Sequence, residues 1–479
     1  MLFNSLEFIL AFLPISFLVY FWLNQKRLIV AGKSWLVLAS LVFYAWWNVQ
    51  YLPLILISIL VNFAVGNALA RRASGVSRGP LKPEWVLAAG IAFNLGLLGY
   101  YKYADFFLSN LGRLVDAPPA PLGIVLPLAI SFFTFTQIAY LVDSYRGKAK
   151  EYDLLNYALF VTFFPHLIAG PVVHHGEIMP QFAAVTNLAR RYRNVLLGLM
   201  LFSVGLGKKV LIADTFAVWA TAGFDQADHL NFFEAWVTSL SYTFQIYFDF
   251  SGYTDMALGA AMLFNIRMPF NFNSPYRATN IQDFWRRWHI TLSRFLRDYL
   301  YIPLGGSRRG GGRMLANLLV TFVLGGLWHG ATWMFILWGG LHGAAMVIHR
   351  LWQRVGLRMT PVLAWLLTFN FINLTWVFFR AQTLDDALKV LRGMSGLDAI
   401  GSLGPRFESW TGLMDSRFEV GLALLAALAL VLLRRNSNAL LLSGARPRFA
   451  AAVGYGLLAA VSLLGLMASK YSEFIYFNF

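Results

Sequence analysis

Residues 51–83 read "YLPLILISILVNFAVGNALARRASGVSRGPLKP": twenty residues without a charge, then Arg71, Arg72, Arg78 and Lys82 with no acid among them. At about 1.5 Å of helical rise per residue, twenty apolar residues cover the roughly 30 Å hydrocarbon core of a bilayer. Positive residues are retained in cytoplasmic loops, so the basic run marks the inner side. The stretch predicts a membrane-spanning helix that ends in the cytoplasm.

Working outward, the pattern repeats. A first span over about Leu6 to Leu23 precedes "NQKRLIVAGK", with Lys26, Arg27 and Lys33, and "SWLVLASLVFYAWW" then runs outward. A later pair, about Trp85–Tyr101 and Leu122–Val142, returns at "DSYRGKAKEYD" with Arg146, Lys148 and Lys150. Three returns on basic loops put the N-terminus outside. The first run follows "MLFNSLE" with no basic leader, so it reads as a retained helix and not a removed signal.

Composition agrees. Of 479 residues, 58% are hydrophobic and 13% charged, against about 25% charged in soluble domains. The apolar runs are continuous and not alternating, which favours helices over a barrel. The net charge of +16 sits in the loops, as membrane topology requires, and does not point to nucleic acid. The chain has no cysteine, which excludes disulfides, thiolate nucleophiles and cysteine-based metal sites. The expected class is an all-α polytopic membrane protein, one integral-membrane domain over residues 1–479.

Further spans are expected near Val195–Gly205, Val210–Phe224, Phe233–Tyr247, Met256–Ile266, Leu315–Leu327, Trp333–Ile348, Val362–Phe379, Val420–Leu433 and Ala450–Ala468. The stretch "LLNYALFVTFFPHLIAGPVVHHGE" is broken by Pro165, Gly170 and Pro171, so it reads as re-entrant or broken. "TLDDALKVLRGM" has the pattern of an interfacial amphipathic helix. The basic stretch "RRNSNALLLSGARPR" belongs in the cytoplasm, and one span follows it, so the C-terminus emerges outside.

Two histidines stand out in the centre. Wound as a continuous helix, "DFWRRWHITLSRFLRDYL" places Trp285, Trp288, Leu292, Phe295, Leu296 and Tyr299 on one stripe. Arg286, Arg287, Arg294 and Arg297 fall opposite, and His289 lies at the stripe's edge. His329, in "LWHG", lies fourteen residues beyond Leu315, roughly 21 Å into the membrane. An ionisable group at that depth needs a cavity or a partner. A structural histidine bonded to a carbonyl satisfies the same requirement, and depth alone does not make it catalytic. His342 and His349 share a helix face but have no evident third ligand, so no metal site is expected.

The motifs "FFPHLIAGPVV", "YFDFSGYTDMALG", "NFNSPY", "FWRRWHITLSRFLRDYLYIPLGG", "GGLWHGATW" and the ending "FIYFNF" occur in this order. Together they resemble the membrane-bound O-acyltransferase (MBOAT) family, in its bacterial branch of alginate O-acetyltransferase-like membrane subunits. The resemblance implies the MBOAT fold, with roughly eleven or more transmembrane helices and re-entrant segments around a central tunnel. It implies a bacterial inner-membrane protein that passes acetyl from a cytoplasmic thioester, acetyl-CoA or an acyl-carrier thioester, toward an extracytoplasmic polysaccharide. It also implies a periplasmic partner of the SGNH-hydrolase type. Transfer of D-alanine, acylation of a lipid and a non-catalytic transporter are the alternatives.

Carried over by motif, His329 is the expected tunnel histidine, His289 its partner and Tyr476, in the 474–479 motif, the expected acyl relay. The chain departs from relatives at His174 and His175, where an arginine is common. The candidate substrate- or donor-binding residues are Arg286, Arg287, Arg294, Trp285, Trp288, Asn273, Tyr247 and Asp249. Without cysteine the nucleophile must be a hydroxyl, and a histidine suits the base. His329 is the expected base, with His289 orienting or polarising. A phenol near pKa 10 leaves more readily than an alkyl alcohol, which suits Tyr476 as a relay. An aromatic membrane anchor is the other reading of the same tail. The arginines suit donor phosphates or anionic lipid headgroups equally, and Asp249, Asp255 and Asp283 suit structural pairing.

Overall fold

The computed structural model describes residues 1–76, 81–115, 120–168, 170–396, 417–442, 449–468 and 474–475. Every regular element among the described residues is helical. Seven are long and apolar enough to cross a membrane: Glu7–Gln25, Val49–Ala73, Tyr192–Gln226, Gly311–His329, Trp333–Val355, Pro361–Arg380 and Phe449–Ala468. This is an all-α polytopic membrane protein with at least seven spanning helices.

The centre is a 32-residue helix, Phe232–Leu263, buried along almost its whole length. It starts at a capping box, where Asn231 and Glu234 each accept the other's backbone N–H. Sequence reading split this helix into two spans, Phe233–Tyr247 and Met256–Ile266. The polar run "DFSGYTD" lies between them, but its charges are paired and its glycine serves close packing. A Cβ on Gly252 would lie 2.7 Å from the Gly205 carbonyl oxygen, and one on Gly205 would lie 2.4 Å from that of Gly252. The two backbones touch there, as small residues permit between membrane helices.

The helix carrying Gly205 was likewise expected as two spans. It runs unbroken over Tyr192–Gln226, with wide π turns at Lys208–Ala213 and Ala222–Gln226. Lys208 and Lys209, at the first π turn, both reach the central helix. Lys208 meets Asp255 at 2.7 Å, and Lys209, 2% exposed, lies 2.7 Å from both Asp249 and Asp214. The partners of these aspartates are lysines and not arginines.

Two other expectations need correction. The span predicted over Leu122–Val142 becomes helical only at Ile130. The continuous helix drawn through "DFWRRWHITLSRFLRDYL" breaks into Ile281–Arg287, Ile290–Leu296 and a π turn at Arg297–Tyr301. The proline-containing segment is broken as expected, into Leu154–Thr162 and Phe164–Leu167. Leu384–Ser395 is a helix with its own capping box.

Candidate functional site

The break before Ile290 builds the site. His289 takes a left-handed backbone, φ 43° and ψ 53°, which costs a non-glycine residue about 1–3 kcal/mol. The extended segment at Asn271–Asn273 accepts the cost by pairing the freed backbone. Ile290 N–H donates to Asn271 O at 2.9 Å, and Asn273 N–H donates to Arg287 O at 2.9 Å.

Asn271 also fixes the imidazole. Its Oδ1 accepts from the Thr291 backbone N–H at 3.2 Å and the Thr291 hydroxyl at 3.0 Å, and lies 3.1 Å from His289 Nδ1. An atom that accepts a backbone N–H is the amide oxygen, so Nδ1 of a neutral His289 must carry its proton. Nε2 is left with the lone pair. It is buried and has no hydrogen-bond partner among the described residues.

His329 is the last residue of its helix, 3% exposed. Helix C-termini leave carbonyls unpaired, and here a half-buried lysine and a tyrosine from another element take them up. Lys102 Nζ donates to Trp328 O at 2.6 Å and His329 O at 3.3 Å, and Tyr103 OH donates to Leu327 O at 2.8 Å. Both residues lie on the π turn Gly99–Tyr103. Sequence reading passed over this pair; a lysine at the end of an apolar span was the available signal. Close approach of the next helix fixes the other side, because a Cβ on Gly339 would lie 2.4 Å from Phe322 O.

The two imidazoles flank Trp328, with ring centroids 6.4 Å from it for His289 and 5.0 Å for His329. Trp338 and Phe379 sit edge-on to His329 at 5.2 Å.

His329 lines a cavity of about 500 Å³. Trp285, Arg286 and Arg294 share that wall, as do Ser293, Arg297, Trp338 and Arg350. Arg294 forms a bidentate pair with Glu177 at 2.6 and 3.0 Å, and Arg297 is paired with Asp298. Arg286 and Arg350 form no ion pair among the described residues. The indole N–H of Trp338 is buried and without a hydrogen-bond partner among them. An apolar cavity with unpaired guanidinium groups and an imidazole at its wall suits a phosphorylated chain whose reactive end reaches the histidine. Arg350 and Trp338 were not singled out from the sequence, because neither lies in the "WRRWH" stretch.

Other candidates lie elsewhere. Arg287 pairs with Asp283 at 2.9 Å and donates to Asn273 O. Asn273 Oδ1 accepts from Asn436 at 2.8 Å. Trp288 is buried against Phe272, Phe284 and Trp376. Tyr247 lines a second cavity. Asp249, besides its lysine, accepts the Ile475 N–H at 2.9 Å. Phe474 stacks on Tyr253 at 4.0 Å and meets Phe250 at 5.9 Å, and Phe250 is edge-on to His289 at 4.8 Å. Phe474 and Ile475 thus pack on the His289 side of the central helix. Tyr476 itself lies outside the described residues.

The unusual histidine pair has its own partners. His174 Nδ1 lies 3.0 Å from the Tyr299 hydroxyl, which donates to Asp143 at 3.0 Å. His175 Nε2 lies 3.3 Å from Glu151. Burial pushes the Glu151 carboxyl up, but His175, the Asp153 N–H and Asn156 outweigh it and hold the group below its ordinary value. His342 Nδ1 accepts the Trp285 indole N–H at 3.3 Å, which leaves it holding a cavity wall.

The sequence model of the family described as "MBOAT, membrane-bound O-acyltransferase family" matches residues 44–384. A Helicobacter pylori protein named peptidoglycan O-acetyltransferase is 46% identical, over 100% of this chain and 98% of its own length. A Pseudomonas aeruginosa protein named probable alginate O-acetylase AlgI is 40% identical, over 82% of this chain and 75% of its own. The Bacillus subtilis teichoic acid D-alanyltransferase is 25% identical, over 58% of this chain and 75% of its own.

Proposed function

This chain belongs to the membrane-bound O-acyltransferase family, and from its acyltransferase activity we propose that it moves acetyl from a cytoplasmic thioester to an extracytoplasmic polysaccharide. The observation that carries the reading is His329 at the wall of the cavity that also holds Arg286 and Arg350. In this reading the donor is acetyl-CoA or an acyl-carrier thioester, whose phosphates meet Arg286 and Arg350. Its acyl end reaches His329 within a central tunnel. The full-length likeness to a protein named peptidoglycan O-acetyltransferase favours peptidoglycan as acceptor over alginate or a D-alanylated polymer. A periplasmic SGNH-type partner completes the transfer at the inner membrane, with both termini of this chain on the outer side.

The chemistry balances as an acyl exchange. His329 takes the proton of the attacking hydroxyl, the oxygen–carbonyl bond forms, and the carbon–sulfur bond breaks. The thiolate then recovers the proton and leaves as the thiol. Charge builds on the carbonyl oxygen meanwhile, and a fixed donor there stabilises the transition state. Trp338 lines this cavity, and its buried indole N–H, without a hydrogen-bond partner among the described residues, is the proposed donor. His289, with its proton on Nδ1, is a proton acceptor at Nε2 and is not a polarising donor in its neutral form. Phe250, edge-on to His289, also meets Phe474 and so links this imidazole to the 474–475 segment.

Tyr476 follows directly on Ile475, whose N–H Asp249 accepts, and this supports Tyr476 as the relay hydroxyl. The test is incubation of purified protein with radiolabelled acetyl-CoA and no partner. Wild type is expected to carry label on Tyr476. His329→Ala is expected to lose labelling, and Tyr476→Phe to retain none while remaining folded. Undiminished labelling in His329→Ala contradicts the reading.

A further inference from the structure

We propose that a second cavity, of about 480 Å³, is a binding site for an anionic phospholipid, with the phosphate at Arg434 and Arg435 and an acyl chain along its apolar wall. The cavity lies between the C-terminal helices, Arg417–Leu433 and Phe449–Ala468, and the π turn that follows Tyr192–Gly207. His329 is not among its lining residues.

Its two ends differ in chemistry. Val204, Leu211, Leu430 and Leu458 form an apolar wall. The other end is the reversal at 434–437. There Ser437 donates to Asp255 at 2.8 Å and accepts from Lys208 at 3.1 Å, and Asn436 donates to Asn273 and Ser274. The charges are unequal too. Lys208 is neutralised by Asp255 at 2.7 Å. Arg277 spends its guanidinium on the carbonyls of Val431 and Arg434. Arg434 and Arg435 are exposed and form no ion pair among the described residues. Two uncompensated guanidinium groups at the mouth of an apolar cavity between membrane helices match a phosphate headgroup with a chain attached. A free phosphate would leave the apolar wall unused, and a zwitterionic lipid would place a second cation beside the arginines.

The experiment uses the full chain, purified in a neutral detergent and stripped of lipid. Bound lipid is read by native mass spectrometry and stability by thermal unfolding. Phosphatidylglycerol in mixed micelles is expected to be retained at about one per chain and to raise the unfolding temperature. Phosphatidylcholine and inorganic phosphate are expected to do neither. Arg434→Gln with Arg435→Gln is expected to weaken phosphatidylglycerol retention at least tenfold. Leu458→Trp, which fills the apolar end without touching a charge, is expected to do the same, and both variants should keep acetyl-CoA turnover in detergent. Equal retention of phosphatidylcholine, full effect from inorganic phosphate alone, or unchanged retention in either variant overturns the proposal.

Discussion

At the scale of single residues, the Nδ1 proton of His289 and the Trp338 indole N–H, without a hydrogen-bond partner among the described residues, set the proposed chemistry. Trp338→Phe keeps the ring against His329 but removes the N–H. Loss of one oxyanion donor costs about 10²–10³ in kcat, so steady-state kinetics should show such a fall with the donor KM little changed. An unchanged kcat would exclude the indole from the transition state. Glu151 bears on pH. Its carboxyl is held below its ordinary value, so its contribution to stability is full above about pH 4.3. That contribution is lost as pH falls through the lowered folded value. Thermal unfolding of Glu151→Gln should show a lower midpoint near neutrality and a flatter decline in acid than wild type. The two central histidines were legible as motif positions. The Asn271 bond that sets the His289 tautomer was not, because it needs a left-handed residue that periodicity cannot foresee.

At the scale of elements, the helix ending at His329 is held by groups far away in sequence. Lys102 caps its carbonyls, and a hydrogen bond contributes about 0.5–1.5 kcal/mol net. Lys102→Met should therefore lower the unfolding temperature and cut kcat while leaving donor KM nearly unchanged, with Lys102→Arg partly restoring turnover. Equal kcat in Lys102→Met would show that the cap supports only the fold. Sequence reading found the apolar runs themselves, from 51–70 to 450–468, because continuous hydrophobicity is a local property. It misjudged their joins for one physical reason. Glycines and charges look like breaks, yet Gly205 against Gly252 and Lys209 against Asp249 are satisfied by the neighbouring helix. The opposite error, a continuous helix drawn through His289, arose because Asn271 and Asn273 compete for that backbone.

At the scale of the whole molecule, the cavity proposed to bind the donor is distinct from the contacts that Phe474 and Ile475 make with the core. Arg286 and Arg350 share a cavity with His329, while Phe474 and Ile475 reach the His289 side through Phe250 and Asp249. The basic loops read from the sequence set the cavity's arginines toward the cytoplasm in this account. The absence of native cysteine makes the placement directly measurable with one introduced thiol. Ser293→Cys puts that thiol on the cavity wall. In inverted membrane vesicles the thiol should react with a membrane-impermeant maleimide, and acetyl-CoA at concentrations that sustain turnover should block the reaction. Labelling only from the opposite face, or labelling that acetyl-CoA leaves unchanged while turnover proceeds, would contradict a donor bound at His329.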